Sequence, residues 1–227
     1  SSLKDFAQKL ETATPDVAFT YGVPGHASGL IVREEDLSTT PHAIARTRAS
    51  FSWSEGPGIL MIDDDSGFMV DDFAEFLWET VPILDGVEMI VRPSSSSNIF
   101  NIETNEWVRL GGNRRAYVVV SDARMAPEVG RLIESYLWLA HHGYYDVSKS
   151  GRLLKRCPAD TSVWQPERLD FVGGATCTAP LAQGYLVTEL IEGELSMVDT
   201  RSLPKLSDGD KAKIRDYERK ARELVEV

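Results

Sequence analysis

The stretch Gly58–Asp65 reads Gly-Ile-Leu-Met-Ile-Asp-Asp-Asp. Its first part, Gly58–Ile62, is an uninterrupted apolar run, which is typical of a strand buried on both faces. Since side chains alternate along a strand, Asp63 and Asp65 are expected on one face and Asp64 on the other. Two carboxylates on one face repel each other, so the pattern favours a bound divalent cation, and hard oxygen ligands suit Mg²⁺ or Mn²⁺. A solvated acidic turn is the other interpretation, because Asp is common in turns.

Strands and helices alternate around this stretch. Residues 1–12 have helical spacing of apolar positions, and Asp71 or Asp72 is expected to cap a second helix. The remaining elements predicted from the pattern are strands over Ala18–Tyr21, Leu30–Val32, Val87–Val91 and Ala116–Val120, a short helix over His42–Arg48 and a long helix over Pro127–His141. This order predicts an α/β protein of mixed α+β type, with a mixed central sheet flanked by helices.

The chain divides into two parts by composition. Residues 1–204 carry the alternating pattern and are expected to form one domain. Residues 205–227 are highly charged, and Ser207 is placed to cap a helix with a thin apolar stripe. This segment is expected to be a charged helical tail or the start of a linker to a further domain.

Composition excludes several classes of protein. The chain has 227 residues, a formal net charge of −11 and 42% hydrophobic residues, which is the balance of an ordinary globular protein. It contains no apolar run long enough to span a membrane and no basic-then-apolar leader, so a cytoplasmic location without membrane contact is expected. Two cysteines are too few for a disulfide framework or a zinc site. The acidity argues against coating DNA through bulk positive charge.

Four other features have both a chemical and a purely structural interpretation. The serine run Ser94–Ser97 offers donors to phosphate oxygens or forms an ordinary loop. The guanidinium groups of Arg114 and Arg115 match the geometry of phosphate, or the two side chains are simply solvated. The same holds for the basic residues of segment 149–156. Asp160 would complete a metal site only if the fold returned it to the first carboxylates.

The order of these features resembles the archaeo-eukaryotic primase superfamily, and is most similar to the primase-polymerase domains of plasmid, phage and mobile-element replication proteins. Ile62–Asp65 matches the strand-borne D-x-D motif. Segment 115–119, after the serine run, occupies the place of the S-x-H motif. Asp160 matches the later hydrophobic-Asp motif, and Arg168 follows it as the basic residue. The resemblance covers roughly residues 17 to 185.

The resemblance implies a DNA primase that transfers nucleotides from (d)NTPs to a primer on single-stranded DNA. It implies two Mg²⁺ or Mn²⁺ ions held by Asp63, Asp65 and Asp160, and a triphosphate held by Ser96, Arg115, Lys149 and Arg168. Asp122 and Asp146 compete with Asp160 for the third carboxylate, and Asp64 competes with Asp65. Template bases would stack on Trp107, Trp164 or Tyr117. A fused or associated helicase is the implied partner.

One departure from the family pattern keeps other functions open. The histidine of the second motif is absent, and Arg115 stands in its place. A catalytically inactive module that binds single-stranded DNA in replication initiation is therefore one alternative. A metal-dependent nuclease that uses the same acidic cluster is the other.

Overall fold

The computed structural model describes residues 2–25, 29–67, 70, 72–111 and 113–225. Its helices are α1 (Leu3–Thr12), α2 (Phe73–Thr80), α3 (Ala126–Leu139) and α4 (Asp208–Glu223). Asp72 caps α2 by accepting hydrogen bonds from the backbone N–H groups of Ala74 and Glu75. Asp71, the other predicted cap, lies outside the described residues. Ser207 caps α4 as predicted.

Fifteen strands accompany the helices in the described residues. In chain order they are β1 (Ala18–Thr20), β2 (Val23–Pro24), β3 (Ile31–Val32), β4 (Ile44–Ala45), β5 (Phe51–Ser52), β6 (Gly58–Asp64), β7 (Met89–Pro93), β8 (Ile99–Asn101), β9 (Glu106–Arg109), β10 (Arg114–Val120), β11 (Tyr144–Val147), β12 (Leu153–Arg156), β13 (Leu169–Phe171), β14 (Leu181–Gln183) and β15 (Glu189–Ile191).

The largest sheet has the order β15-β7-β10-β6, and its pairs are antiparallel. Isolated parallel bridges outside the strand pairs join Val87 to Leu195 and Val120 to Val198. The prediction of a mixed central sheet is therefore wrong for these four strands, since local patterns do not fix the relative direction of strands. A three-stranded sheet, β14-β8-β9, and several two-stranded sheets surround the largest sheet. The predicted class, mixed α+β, is confirmed.

Each face of the central sheet packs against different elements. On one face, Tyr117 contacts Phe6 of α1 with ring centroids 5.3 Å apart. On the other face, the guanidinium of Arg114 lies 4.7 Å from the ring centroid of Phe73 of α2. Helix α3 also contacts β6. Burial of apolar side chains between these layers forms the core, in which Ile62 is fully buried.

Helix α4 packs on α3 and β11. The hydroxyl of Tyr217 donates to the carbonyl oxygens of His141 and Gly143, which follow α3, at 2.8 and 2.9 Å. Lys155, one of the predicted basic residues, lies 2.6 Å from a carboxylate oxygen of Glu218 in α4. The charged segment 205–227 therefore contributes a helix that contacts elements of the segment 1–204.

The prediction of a short helix over His42–Arg48 is wrong. Ile44 and Ala45 form β4, which pairs in parallel with β3, and both side chains are buried. The backbone N–H of Arg46 continues this pairing by donating to the carbonyl of Val32 at 2.8 Å. No helix within the described residues is long and apolar enough to cross a membrane.

Candidate functional site

The three aspartates at the end of β6 have three different environments. Asp63 is 4% exposed and Asp64 is fully buried, whereas Asp65 follows the strand and is exposed. The side chain of Asn113 donates to the Oδ1 of Asp65 at 3.0 Å. Asp64 lies 3.6 Å from the Nε of Arg114 on the opposite face of the sheet from Asp63. The alternation predicted for Asp63 and Asp64 is therefore confirmed.

Arg115 binds Asp63 across the strand pair. The two residues are direct partners in the β6–β10 register, so their side chains lie on the same face. The Nε of Arg115 donates to the Oδ1 of Asp63 at 3.0 Å. Burial raises the pKa of Asp63 to about 6, whereas the positive charge of Arg115 lowers it and the nearby Asp65 raises it.

A second carboxylate, Asp170 of β13, holds the other end of the Arg115 guanidinium. The Nη1 of Arg115 donates to the Oδ1 of Asp170 at 2.6 Å and to the carbonyl of Phe171 at 3.0 Å. Asp170 is 1% exposed. Its Oδ2 accepts hydrogen bonds from the hydroxyl of Tyr117, at 3.0 Å, and from the hydroxyl of Tyr21. Burial raises the pKa of both tyrosines, so they remain neutral donors.

Buried Arg92 adds a second positive charge to this group. It is the β7 partner of Arg115 and is 5% exposed. Its Nη1 donates to the carbonyl of Leu10 at 3.4 Å. Burial lowers the pKa of Arg92, whereas the negative charge of Asp170 raises it. Asp63, Asp170, Arg92 and Arg115 together form a network with two negative and two positive charges. We call these four residues the buried charge network.

Asp160 lies beside the end of β6 through its backbone. Its N–H donates to the carbonyl of Asp63 at 2.7 Å. Its carboxylate caps the short 3₁₀ turn Thr161–Val163 by accepting from the N–H and the hydroxyl of Ser162, at 2.9 and 2.7 Å. Asp160 and Asp65 line one cleft of about 180 Å³.

The two competitors of Asp160 differ in position. Asp146 lines the same cleft as Asp65 and Asp160. Asp122 lies two residues after Val120, the last residue of β10, which pairs with Gly58 at the start of β6. Asp122 is therefore at the opposite end of the sheet from Asp63, where it caps the 3₁₀ turn Ala123–Met125.

Within the described residues, no group of three or more His, Cys, Asp and Glu side chains is arranged to hold a metal ion. Asp63 is bound to Arg115, Asp160 accepts from Ser162, and Asp65 accepts from Asn113. In this arrangement the three predicted ligands do not fit a two-metal centre. Their backbones nevertheless meet at one edge of the sheet.

The serine run is held by internal hydrogen bonds. Ser94 and Ser97 are buried, and their hydroxyl oxygens are 3.0 Å apart. The side-chain amide of Gln183 donates to the carbonyls of Ser95 and Ser97, at 2.8 Å each. The hydroxyl of Ser96 accepts from Arg109 at 2.6 Å. This run is therefore a fixed loop beside the start of β10.

A second cleft, of about 450 Å³, opens next to the buried charge network. We call it the arginine cleft. The residues lining it that matter here are Arg46, Ser95, Arg115, Glu167, Arg168 and Phe171. The predicted nucleotide-binding residues Arg115 and Arg168 therefore come together, and Ser96 is next to a lining residue. Lys149 lies in the exposed turn between β11 and β12 and does not line the described part of this cleft.

The three aromatic residues considered for base stacking are in different environments. Tyr117 is fully buried, and Trp164 is 7% exposed with its Nε1 donating to the carbonyl of Met61 at 2.9 Å. Stacking of a base on Tyr117 or Trp164 is therefore excluded in this structure. Trp107 on β9 is 52% exposed and remains available.

The thiol of Cys157 is buried, which raises its pKa to about 12, so it is a poor nucleophile.

Sequence reasoning missed Asp170 and Arg46 as site residues. Asp170 alternates with the apolar Leu169 and Phe171 in a strand, and such alternation by itself predicts an aspartate that faces solvent. Arg46 carries no signal either, because it lines the cleft only through the pairing of β3 and β4.

Comparison of the chain with protein-family models, with curated proteins and with solved structures finds no match in any of the three.

Proposed function

We propose that this chain is the catalytic domain of a primase or primase-polymerase, with a core of the archaeo-eukaryotic primase type. It would transfer nucleotides from (d)NTPs to a growing primer on single-stranded DNA in the cytoplasm. The primer 3′-oxygen would form a bond to the α-phosphorus as the bond to the leaving pyrophosphate breaks. Positioning of the triphosphate is the main requirement of such a reaction.

The observation that carries this proposal is the position of Arg115. It binds Asp63 of the D-x-D segment and also lines the arginine cleft. The carboxylates at the end of β6 are thus next to a cationic cleft whose volume is in the range of small-ligand sites. Arg168, the basic residue expected after the third motif, lines the same cleft. Ser96 and Lys149 belong to the proposal as further contacts to the triphosphate or the template.

The proposal includes a requirement of the reaction for Mg²⁺ or Mn²⁺, which the assay below measures. In the arrangement described, Asp63, Asp65 and Asp160 do not form a chelating group, so no step is derived through a metal ion. The proposal also includes binding of the template by the exposed Trp107. It further includes a helicase as a fused or associated partner.

The test is one assay on a labelled primer annealed to a longer template strand, with Mg²⁺ or Mn²⁺, and with or without (d)NTPs. The proposal predicts extension that requires both the metal ion and the nucleotides. Shortening of the labelled strand without nucleotides would indicate the nuclease instead. Absence of both reactions, with either metal, would contradict catalysis.

One observation favours the second candidate function, an inactive module that binds single-stranded DNA. Asp63 is neutralised by Arg115 instead of being open to a cation. Such a module would retard a single-stranded oligonucleotide in a binding assay and yield no extended primer. Retardation that weakens steeply with added salt would identify contacts to the phosphate backbone.

A further inference from the structure

The positive charge of the arginine cleft does not come from Arg115. This guanidinium contacts two carboxylates, Asp63 and Asp170, at 3.0 and 2.6 Å. Even with Arg92 included, the buried charge network has no net charge. Arg115 is therefore already compensated, and an anionic ligand gains little from its charge.

Glu167 is the acidic residue that lines the arginine cleft. Its Oε1 lies 3.6 Å from the Nε of Arg48, which lines a neighbouring cleft instead. Arg48 compensates Glu167 only in part, because the Oε2 of Glu167 is buried and has no hydrogen-bond partner among the described residues. Glu167 therefore offsets part of the positive charge of the arginine cleft, whereas the buried charge network leaves that charge unchanged.

Arg46 and Arg168 are the two remaining charges. Both are exposed and line the arginine cleft, and neither forms an ion pair with a carboxylate of the described residues. Their backbones are fixed, since the N–H of Arg46 donates to Val32 at 2.8 Å and that of Arg168 to Gln165 at 3.1 Å. Two guanidinium groups on fixed backbone at one cleft, without an ion pair among the described residues, match the planar, bidentate recognition of phosphate oxygens.

We propose that Arg46 and Arg168 bind the polyphosphate chain of a nucleotide in the arginine cleft. This inference rests on the proposed function, and it adds a residue, Arg46, that the sequence motifs do not include. Phe171 lies at the same cleft and is 52% exposed, so its ring offers an apolar surface to a base. A charged pair next to an exposed aromatic ring fits a nucleotide better than a simple inorganic anion.

The test measures binding of inorganic tripolyphosphate and of ATP to the whole 227-residue chain by calorimetry. Arg46→Gln and Arg168→Gln are each expected to weaken binding of both probes roughly tenfold, the effect of losing one charge-assisted hydrogen bond. Arg124→Gln is the control, because Arg124 is exposed and paired with Asp122 and Glu55, and none of these three residues lines the arginine cleft. It is expected to change the affinity less than about twofold. Phe171→Ala is expected to weaken ATP binding and leave tripolyphosphate binding unchanged.

The outcomes separate this inference from the proposed function. Equal affinity in wild type, Arg46→Gln and Arg168→Gln overturns the inference, and primer extension by the wild type in parallel leaves the proposed function intact. Weakened binding in both variants, with no extension by the wild type, supports the inference and contradicts the proposed function. No binding of either probe to the wild type overturns the inference. A thymidine oligonucleotide that displaces tripolyphosphate more effectively than ATP assigns the two arginines to a nucleic-acid backbone, which also overturns it.

Discussion

Asp63 on β6 stands directly opposite Arg115 on β10, and the Nε of Arg115 lies 3.0 Å from the Oδ1 of Asp63. The same guanidinium reaches Asp170 on β13, which is more than a hundred residues from Asp63 in the chain. One side chain therefore joins the D-x-D segment, a distant strand and the arginine cleft. This relationship makes Arg115 both a structural residue and a neighbour of the candidate site.

Replacement of Arg115 by Gln should lower the free energy of unfolding by about 3–5 kcal/mol, because it leaves two buried carboxylates without their partner. Arg124→Gln is the control, since Arg124 forms exposed pairs with Asp122 and Glu55 and should contribute less than about 1 kcal/mol. Urea denaturation of both variants measures the difference. Equal stability of the two variants would show that the buried pairs of Arg115 do not stabilise the fold.

The hydrogen bonds of Asp170 should be energetically coupled. Tyr117→Phe removes one donor to its carboxylate and should cost about 1–2 kcal/mol. Asp170→Asn removes the charge and should cost more, because Arg115 loses an ion pair. The double variant should lose less free energy of unfolding than the sum of the losses in the two single variants, by at least about 0.5 kcal/mol. Strict additivity in denaturation experiments would mean that the two side chains do not interact.

The contribution of Asp63 to the stability of the protein should fall as pH rises from about 4 to about 6. Asp63 has a pKa of about 6 in the folded chain, above its ordinary value of 3.8, so the folded state keeps this proton after the unfolded state has lost it. Asp63→Asn removes this contribution and should flatten the pH dependence in that window. Carbon NMR of the Asp63 carboxyl group should show a midpoint near 6. A midpoint near or below the ordinary value would mean that Arg115 outweighs the cost of burial.

The two cysteines should differ in reactivity. Cys157 is buried and its pKa is raised to about 12, whereas Cys177 is partly exposed. A thiol reagent at pH 8 should therefore label Cys177 first and Cys157 only after unfolding. Mass spectrometry of the labelled peptides distinguishes them. Rapid labelling of Cys157 in the native protein would contradict its burial beside β6 and α3.

The main strands were predictable from apolar runs, and their ends were not. Gly58–Ile62 predicts β6, but the strand continues to Asp64, because Arg114 and Arg115 on β10 pair with the two aspartates. A local pattern contains no information on such cross-strand partners. The same limit explains the wrong helix over His42–Arg48, where tertiary pairing with β3 determines the structure.

The candidate site was predictable only in part. The D-x-D segment and Arg168 were predicted because each belongs to a recognisable pattern, and Arg168 lines the arginine cleft. Asp170 and Arg46 reach the site through strand pairing between distant segments, β1 with β13 and β3 with β4. Neither residue type nor spacing predicts that convergence.

Primer extension by Asp65→Asn compared with Asp122→Asn tests the central claim most directly. Asp65 is exposed, so its substitution should leave the fold intact, and it lies at the end of β6 next to Asp63. Asp122 is the matched control, because it lies at the opposite end of the same sheet. We expect the wild type and Asp122→Asn to extend a primer in the presence of Mn²⁺ and dNTPs, and Asp65→Asn to yield no product above background. Undiminished extension by a folded Asp65→Asn protein would contradict the assignment of the reaction to the end of β6.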